Sequence, residues 1–158
     1  MTKSLVVILH YNSTQYTDTL YELLKPYERN DYDLIVIDNG SDPDKTSKYT
    51  TFRIEENCYY GGGLDVTMGY FLENTQYDSM ILLNSDLIIH GNSFIKSMRE
   101  ELFKDEDLVV VSGCVLQPEK GQCYWKMVHN WGSKEIRYVP WVDYQCCLLK
   151  RKFVEKIG

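Results

Sequence analysis

A chain of 158 residues suffices for one domain with a sizeable core and is too short for two ordinary ones. At 44% hydrophobic and 25% charged its composition is globular, and a net charge of −6 without a basic stripe excludes a nucleic-acid backbone as the expected partner. No apolar stretch reaches membrane-spanning length, and Leu5 to Leu9 is too short for a leader's apolar core. The five cysteines are odd in number and show no C-x-x-C spacing, which suits reduced thiols in a cytoplasm rather than a disulfide framework or a zinc site. Cys114, Cys146 and Cys147 lie in apolar runs and are expected in the core.

Leu5-Val6-Val7-Ile8-Leu9 predicts a fully buried strand, ended by His10-Tyr11-Asn12-Ser13. Thr17 to Leu24 predicts a helix that stops before Pro26, with Leu20, Leu23 and Leu24 on one face. Leu34-Ile35-Val36-Ile37 is the second strand, ending at Asp38-Asn39-Gly40-Ser41-Asp42-Pro43, where Ser41 or Asp42 can cap a short helix begun by Pro43. Thr51 to Ile54 is a weaker strand. Asn57 to Gly63 is expected to be a glycine-rich loop, followed by a helix from Leu64 to Leu72.

Ser79 to Leu83 is a core strand, stopped by the turn-forming Asn84-Ser85-Asp86, after which the apolar Leu87-Ile88-Ile89 follows at once. A helix from about Ser93 to Phe103, a strand from Leu108 to Val111, a strand from Val142 to Leu149 and a helix from Lys152 to Ile157 complete the order. Between them lies an aromatic stretch with Tyr124, Trp125, Trp131, Tyr138, Trp141 and Tyr144. Lys150-Arg151-Lys152 is the one basic cluster, expected as the solvated start of a helix, with contact to a membrane's inner face as the alternative.

Strands alternating with helices imply an α/β domain, a mostly parallel sheet covered on both faces. Ligands of such sheets bind at the carboxyl ends of the strands. Those ends carry His10-Tyr11-Asn12, Asp38-Asn39 and Asn84-Ser85-Asp86. Asp86 places a lone carboxylate where a buried run meets solvent. Such a group can hold a divalent cation, which in turn can neutralise a diphosphate; alone, the tripeptide reads first as a polar turn between two strands.

In order, Tyr11-Asn12, Ile35-Val36-Ile37-Asp38-Asn39-Gly40-Ser41, Asn57 with Gly61-Gly62-Gly63, Leu82-Leu83-Asn84-Ser85-Asp86, and Leu148-Leu149-Lys150-Arg151 ahead of Ile157-Gly158 resemble the inverting family 2 glycosyltransferases, in particular their rhamnosyltransferase-like members. The resemblance runs from Leu5 to Gly158. It implies a GT-A (Rossmann-like) three-layer α/β/α sandwich over residues 1–158, a hexosyltransferase-like activity with inversion, and a role in polysaccharide or glycoconjugate synthesis. It implies a UDP-, dTDP- or GDP-sugar donor, Mg²⁺ or Mn²⁺, and a carbohydrate or lipid-linked acceptor.

Carried over by residue, His10, Tyr11 and Asn12 would lie against base and ribose, and Asp38 with Asn39 would bind the nucleoside. Gly62 and Gly63 would let backbone approach the donor, and Asp86 would hold the cation beside Asn84 and Ser85. Asn84 departs from the family's D-x-D motif by offering a neutral amide first. Asp65 stands where the family's loop usually carries asparagine, and suits a diphosphate neighbourhood only if it faces sugar hydroxyls or the cation. The family's general base would fall beyond Gly158, so the acceptor and base segment is expected to be missing; Asp143 and His129 are substitutes of lower rank. The resemblance places the protein in the cytoplasm, peripheral at the inner membrane face as an alternative. A second function class, a catalytically incomplete nucleotide-binding or protein-interaction module such as a homodimer, keeps the same fold.

Overall fold

The structure, a computed structural model, describes residues 3–28, 31–89, 93–113, 136, 138–139, 142 and 144–157. The order is β1 (Lys3–His10), α1 (Thr14–Leu24), β2 (Tyr32–Asn39), β3 (Phe52–Ile54), α2 (Tyr59–Glu73), β4 (Tyr77–Asn84), α3 (Ser93–Leu102), β5 (Val110–Ser112), β6 (Cys146–Lys150) and α4 (Arg151–Ile157). Among the described residues these strands form one sheet of six, ordered β3-β2-β1-β4-β6-β5. β1 pairs in parallel with β2 and β4, and β2 with β3, whereas β6 runs antiparallel to β4 and β5.

Alternation along β1 explains why its run is apolar throughout. Leu5, Val7 and Leu9 pack on one face with Met68 and Phe71 of α2 and Val154 of α4. Val6 and Ile8 pack on the other with Leu20 and Leu24 of α1 and Ile95, Met98 and Leu102 of α3. Each fully buried Leu or Ile of these layers stabilises the fold by about 1.5–3 kcal/mol. The architecture is therefore a mixed α/β sheet, mostly parallel, with a helical layer on each face.

Several expectations shift. α1 buries Thr17, Leu20 and Leu24, and Leu23 is only half-buried. β2 continues through Asp38 and Asn39, because β3 extends the ladder that far. The glycine triplet lies inside α2 rather than in a loop: the helix starts at Tyr59, and Gly63 is buried against the sheet. A Cβ on Gly63 would stand 3.1 Å from Leu9 and from Asn39 Nδ2, so close packing outweighs glycine's poor helix propensity. β5 covers Val110–Ser112 rather than starting at Leu108. β6 starts at Cys146, not Val142, because its partner β4 ends one pair beyond Leu83. Leu87 to Ile89 form no strand, and Ile88 is 82% exposed.

Cys147 is core as expected, while Cys146 is half-buried, with desolvation pushing its thiol up to about 11. The basic cluster is mostly not a solvated helix start. Lys150 ends β6 buried, its Nζ donating 2.7 Å to the Asp105 carbonyl, and Arg151 caps α2. Lys152 alone of the three is exposed. No helix among the described residues is long and apolar enough to cross a membrane. Cys114, Cys123, Trp125, His129, Trp131, Trp141, Asp143 and Gly158 lie outside the described residues.

Two phenols tie the amino-terminal edge of the sheet. Tyr32 donates 2.7 Å to the Leu24 carbonyl and Tyr77 donates 3.0 Å to Asp33 Oδ2. Desolvation first, then nearby carboxylates (Glu28 for Tyr32, Asp33 for Tyr77), pushes both hydroxyls up to about 12 from an ordinary 10.0. A folded value above the unfolded one means the contribution is complete below about pH 10 and is lost as pH rises toward 12. Melting temperature is expected to fall across that window, and the fall to become shallower in Tyr32→Phe and Tyr77→Phe. An unchanged alkaline slope in both variants would count against it.

Candidate functional site

β2, β1 and β4 are neighbouring parallel strands, so their carboxyl ends form one rim. In register, His10 stands opposite Asp38 on one side and Leu9 opposite Asn84 on the other. The chain leaves β1 toward β2 and β3, then crosses back to β4 on the opposite side, which makes the β1 end a topological switch point. With strands about 4.8 Å apart, the ends of β2 and β4 are separated by about 10 Å.

At the β1 end His10 is fully buried rather than facing the crevice. Its Nε2 lies 2.9 Å from the Lys45 carbonyl, which only accepts, so Nε2 carries the proton. In the neutral ring Nδ1 then accepts from Thr17 Oγ1 at 2.7 Å, with Ser13 Oγ at 3.3 Å. Ser13 Oγ is in turn 2.6 Å from Ser85 Oγ, so one hydrogen-bonded chain links the turn before β3 to the end of β4. Tyr11 is 46% exposed. Asn12, at φ 51, bridges to the next loop: its backbone N–H donates to Ser41 Oγ, and its Oδ1 accepts from the Asp42 N–H at 2.8 Å.

Asp38 is fully buried at the β2 end. Its Oδ1 accepts the Ser41 N–H at 2.9 Å, and Oδ2 pairs with Arg53 Nη1 at 3.1 Å. Arg53 also donates to the Ser41 carbonyl and remains partly exposed. Asn39 is spent on the link into α2: Nδ2 donates 2.9 Å to the Tyr59 carbonyl, while Oδ1 accepts from Cys58 N–H and Sγ. Gly40, at φ 71, brings its backbone so near that a Cβ would stand 2.3 Å from Asn57 N.

At the start of α2, a Cβ on Gly62 would lie 2.7 Å from Cys58 Cβ, so this turn too depends on glycine. Asp65 sits exposed on the second turn. Tyr60 donates 2.9 Å to the Tyr144 carbonyl, and the Gln145 carbonyl next to it accepts the Asn84 N–H at 2.9 Å. The start of α2 thus reaches across to the β4 end.

Asn84 is half-buried, Ser85 is buried on Ser13, and Asp86 is exposed. Asp86 makes no hydrogen bond or ion pair with any described residue. Mg²⁺ is commonly held by one or two carboxylates together with a ligand's phosphates. Among the described residues no three His, Cys, Asp or Glu side chains cluster to hold an ion on their own. A lone exposed carboxylate such as Asp86 would hold a hard cation only together with the phosphates of a ligand.

The sequence reading missed Arg53, Ser41 and Ser13. Arg53 follows from one step of register, since β3 places it opposite Asp38, but a three-residue strand gives little pattern to show which neighbour it pairs with.

No protein-family model matches the chain, and no curated protein matches it. Solved structures do. The mannosyltransferase PcManGT from Pyrobaculum calidifontis, in complex with GDP-Man and Mn²⁺, is 16% identical with a TM-score of 0.72, over 99% of this chain and 47% of its own. Glucosyl-3-phosphoglycerate synthase from Mycobacterium tuberculosis, in complex with UDP, is 18% identical with a TM-score of 0.67, over 96% and 57%. A197 from STIV is 21% identical with a TM-score of 0.63, over 99% and 69%. The chain spans about half the length of the mannosyltransferase and of the synthase. At these identities the likeness concerns the fold: this chain has the GT-A glycosyltransferase fold.

Proposed function

We propose that the chain binds a nucleoside-diphosphate sugar along its rim and acts as the donor-binding part of an inverting, family 2-like glycosyltransferase. The observation that carries this reading is the exposed Asp86 carboxylate at the β4 end, without a partner among the described residues and about 10 Å from the Asp38 end of β2. A nucleoside with its diphosphate suits that span. The neighbours with GDP-Man and UDP support the choice of ligand class.

In this assignment Asp86 offers hard oxygen ligands to Mg²⁺ or Mn²⁺, and Ser85, fastened to Ser13, fixes the loop that presents it. The chemistry a cation supplies there is neutralisation of the charge that develops on a departing diphosphate. Asn84 hydrogen-bonds ribose or sugar hydroxyls. Tyr11 lies against the nucleoside, while Asn12, Asn39 and His10 hold the loops that shape its pocket. Asp38 with Arg53 forms the polar wall at that end. Gly62 and Gly63 let the start of α2 pack closely on Cys58 and on Leu9 and Asn39 of the sheet, which sets where that helix start meets the donor, and Asp65 is assigned to sugar hydroxyls. The acceptor is a carbohydrate or a lipid-linked acceptor, in polysaccharide or glycoconjugate synthesis in the cytoplasm, with the inner face of a membrane as the alternative location.

Calorimetric titration of UDP, dTDP and GDP, each with Mn²⁺ and with EDTA, tests the reading. Binding of at least one nucleotide that requires Mn²⁺ is expected. Failure of all three to bind the folded chain would sink it.

A further inference from the structure

Three described positions adopt positive φ: Asn12, Gly40 and Tyr59. Asparagine and glycine tolerate that region, whereas a bulky side chain there is an outlier that must be held in place. Tyr59 is at φ 59, and it is held from both sides. Its N–H donates 2.8 Å to Asn57 Oδ1, and its carbonyl accepts from Asn39 Nδ2 at 2.9 Å. Those contacts use only backbone atoms of Tyr59, so glycine would make them without strain. Tyr59 is 81% exposed and its hydroxyl bonds no described residue. Nothing among the described residues repays the presence of a tyrosine.

Strain of this kind persists chiefly where function requires it. We infer that Tyr59 is a nucleotide-binding residue whose ring stacks on the nucleobase of the bound nucleoside diphosphate. The inference rests on the nucleotide-binding reading and adds a residue to it. Position decides between base and phosphate. The Tyr59 peptide is fastened to Asn39, the last residue of β2, and the preceding Asn57 backbone packs on Gly40. Tyr59 therefore stands at the β2 end, with Asp38 and Arg53, two strands from Asp86. A planar base presents a π-face to such a ring, and stacking of this kind is sequence-tolerant and strong enough to matter.

Tyr59→Gly, Tyr59→Ala and Tyr59→Phe are to be titrated with UDP, dTDP and GDP in Mn²⁺, with Mn²⁺-pyrophosphate as the probe lacking a base, alongside thermal unfolding. Tyr59→Gly and Tyr59→Ala are expected to weaken the nucleotide by about tenfold or more while leaving pyrophosphate unchanged. Tyr59→Phe is expected to keep wild-type affinity, and Tyr59→Gly to melt at or above the wild-type temperature because the backbone strain is relieved. Unchanged nucleotide affinity in Tyr59→Gly overturns the inference, as does an equal loss for nucleotide and pyrophosphate or a lower melting temperature in that variant. If the wild-type chain binds no nucleotide, the nucleotide-binding reading itself fails, and this inference with it.

Discussion

Asp86→Ala is expected to remove Mn²⁺-dependent nucleotide binding while leaving the melting temperature where it is. The two halves of that result come from the same observation. Asp86 is exposed and bonds no described residue, so its loss should change stability by less than about 0.5 kcal/mol. Truncating one partner of a close charge pair costs about 2–5 kcal/mol, and about 3 kcal/mol is more than a hundredfold in affinity. Asp86→Asn keeps an oxygen donor without the charge and should fall between wild type and alanine. Asp65 serves as a control, since Asp65→Asn is expected to leave nucleoside diphosphate binding intact if that side chain addresses the sugar. Calorimetry with and without EDTA reads all three variants. Wild-type affinity in Asp86→Ala with Mn²⁺ present would remove the basis for a cation at this rim.

The largest expected effect on stability lies at the opposite end of the sheet. The Arg151 guanidinium donates from Nε to the Tyr77 carbonyl at 2.7 Å. From Nη2 it donates to the Phe71 and Asn74 carbonyls at 3.0 and 2.7 Å. It also lies 4.2 Å from the Phe71 ring centroid. The last carbonyls of a helix lack intrahelical donors, and here Arg151 supplies part of that need, beside the Asn74 N–H on Phe71 and Asn74 Nδ2 on Tyr70, while docking α4 onto α2. Arg151→Met keeps much of the apolar stem and abandons the carbonyls, which should cost about 3 kcal/mol. For a chain of this size each kcal/mol lowers the melting temperature by roughly 2–4 °C, so a drop near 10 °C is expected. Arg151→Lys should recover only part of it, because an ammonium cannot reach the same set of acceptors as a planar fork. A drop below about 2 °C for Arg151→Met would show that water replaces the guanidinium at little cost.

The elements legible in the sequence are those whose signal is local. β1, β2 and β4 are buried on both faces, so Leu5 to Leu9, Leu34 to Ile37 and Met80 to Leu83 carry unbroken apolar runs that announce them. Parallel strands linked by helices must end on one rim, and so Tyr11, Asp38 and Asp86 could be grouped before any coordinates were known. α2 was legible in its second half, through Met68 and Phe71, but not in its first. Three consecutive glycines look like a loop by propensity, and only the approach of Gly63 to Leu9 and Asn39 explains why they are helical.

By itself, then, the sequence determined the α/β class, the core strands and the polar residues that cap them, because burial writes itself into composition along a short stretch of chain. Tertiary structure alone decided how those caps are used. Asp38 meets Arg53 because β3 lies beside β2, and His10 turns inward because Thr17 and the Lys45 carbonyl converge on it. Asp86 stays unpartnered among the described residues, Tyr59 is held at positive φ by Asn39, and Arg151 reaches carbonyls over seventy residues earlier. A polar side chain's role depends on which donors and acceptors surround it, and those are set by strand order and register, not by its neighbours in sequence.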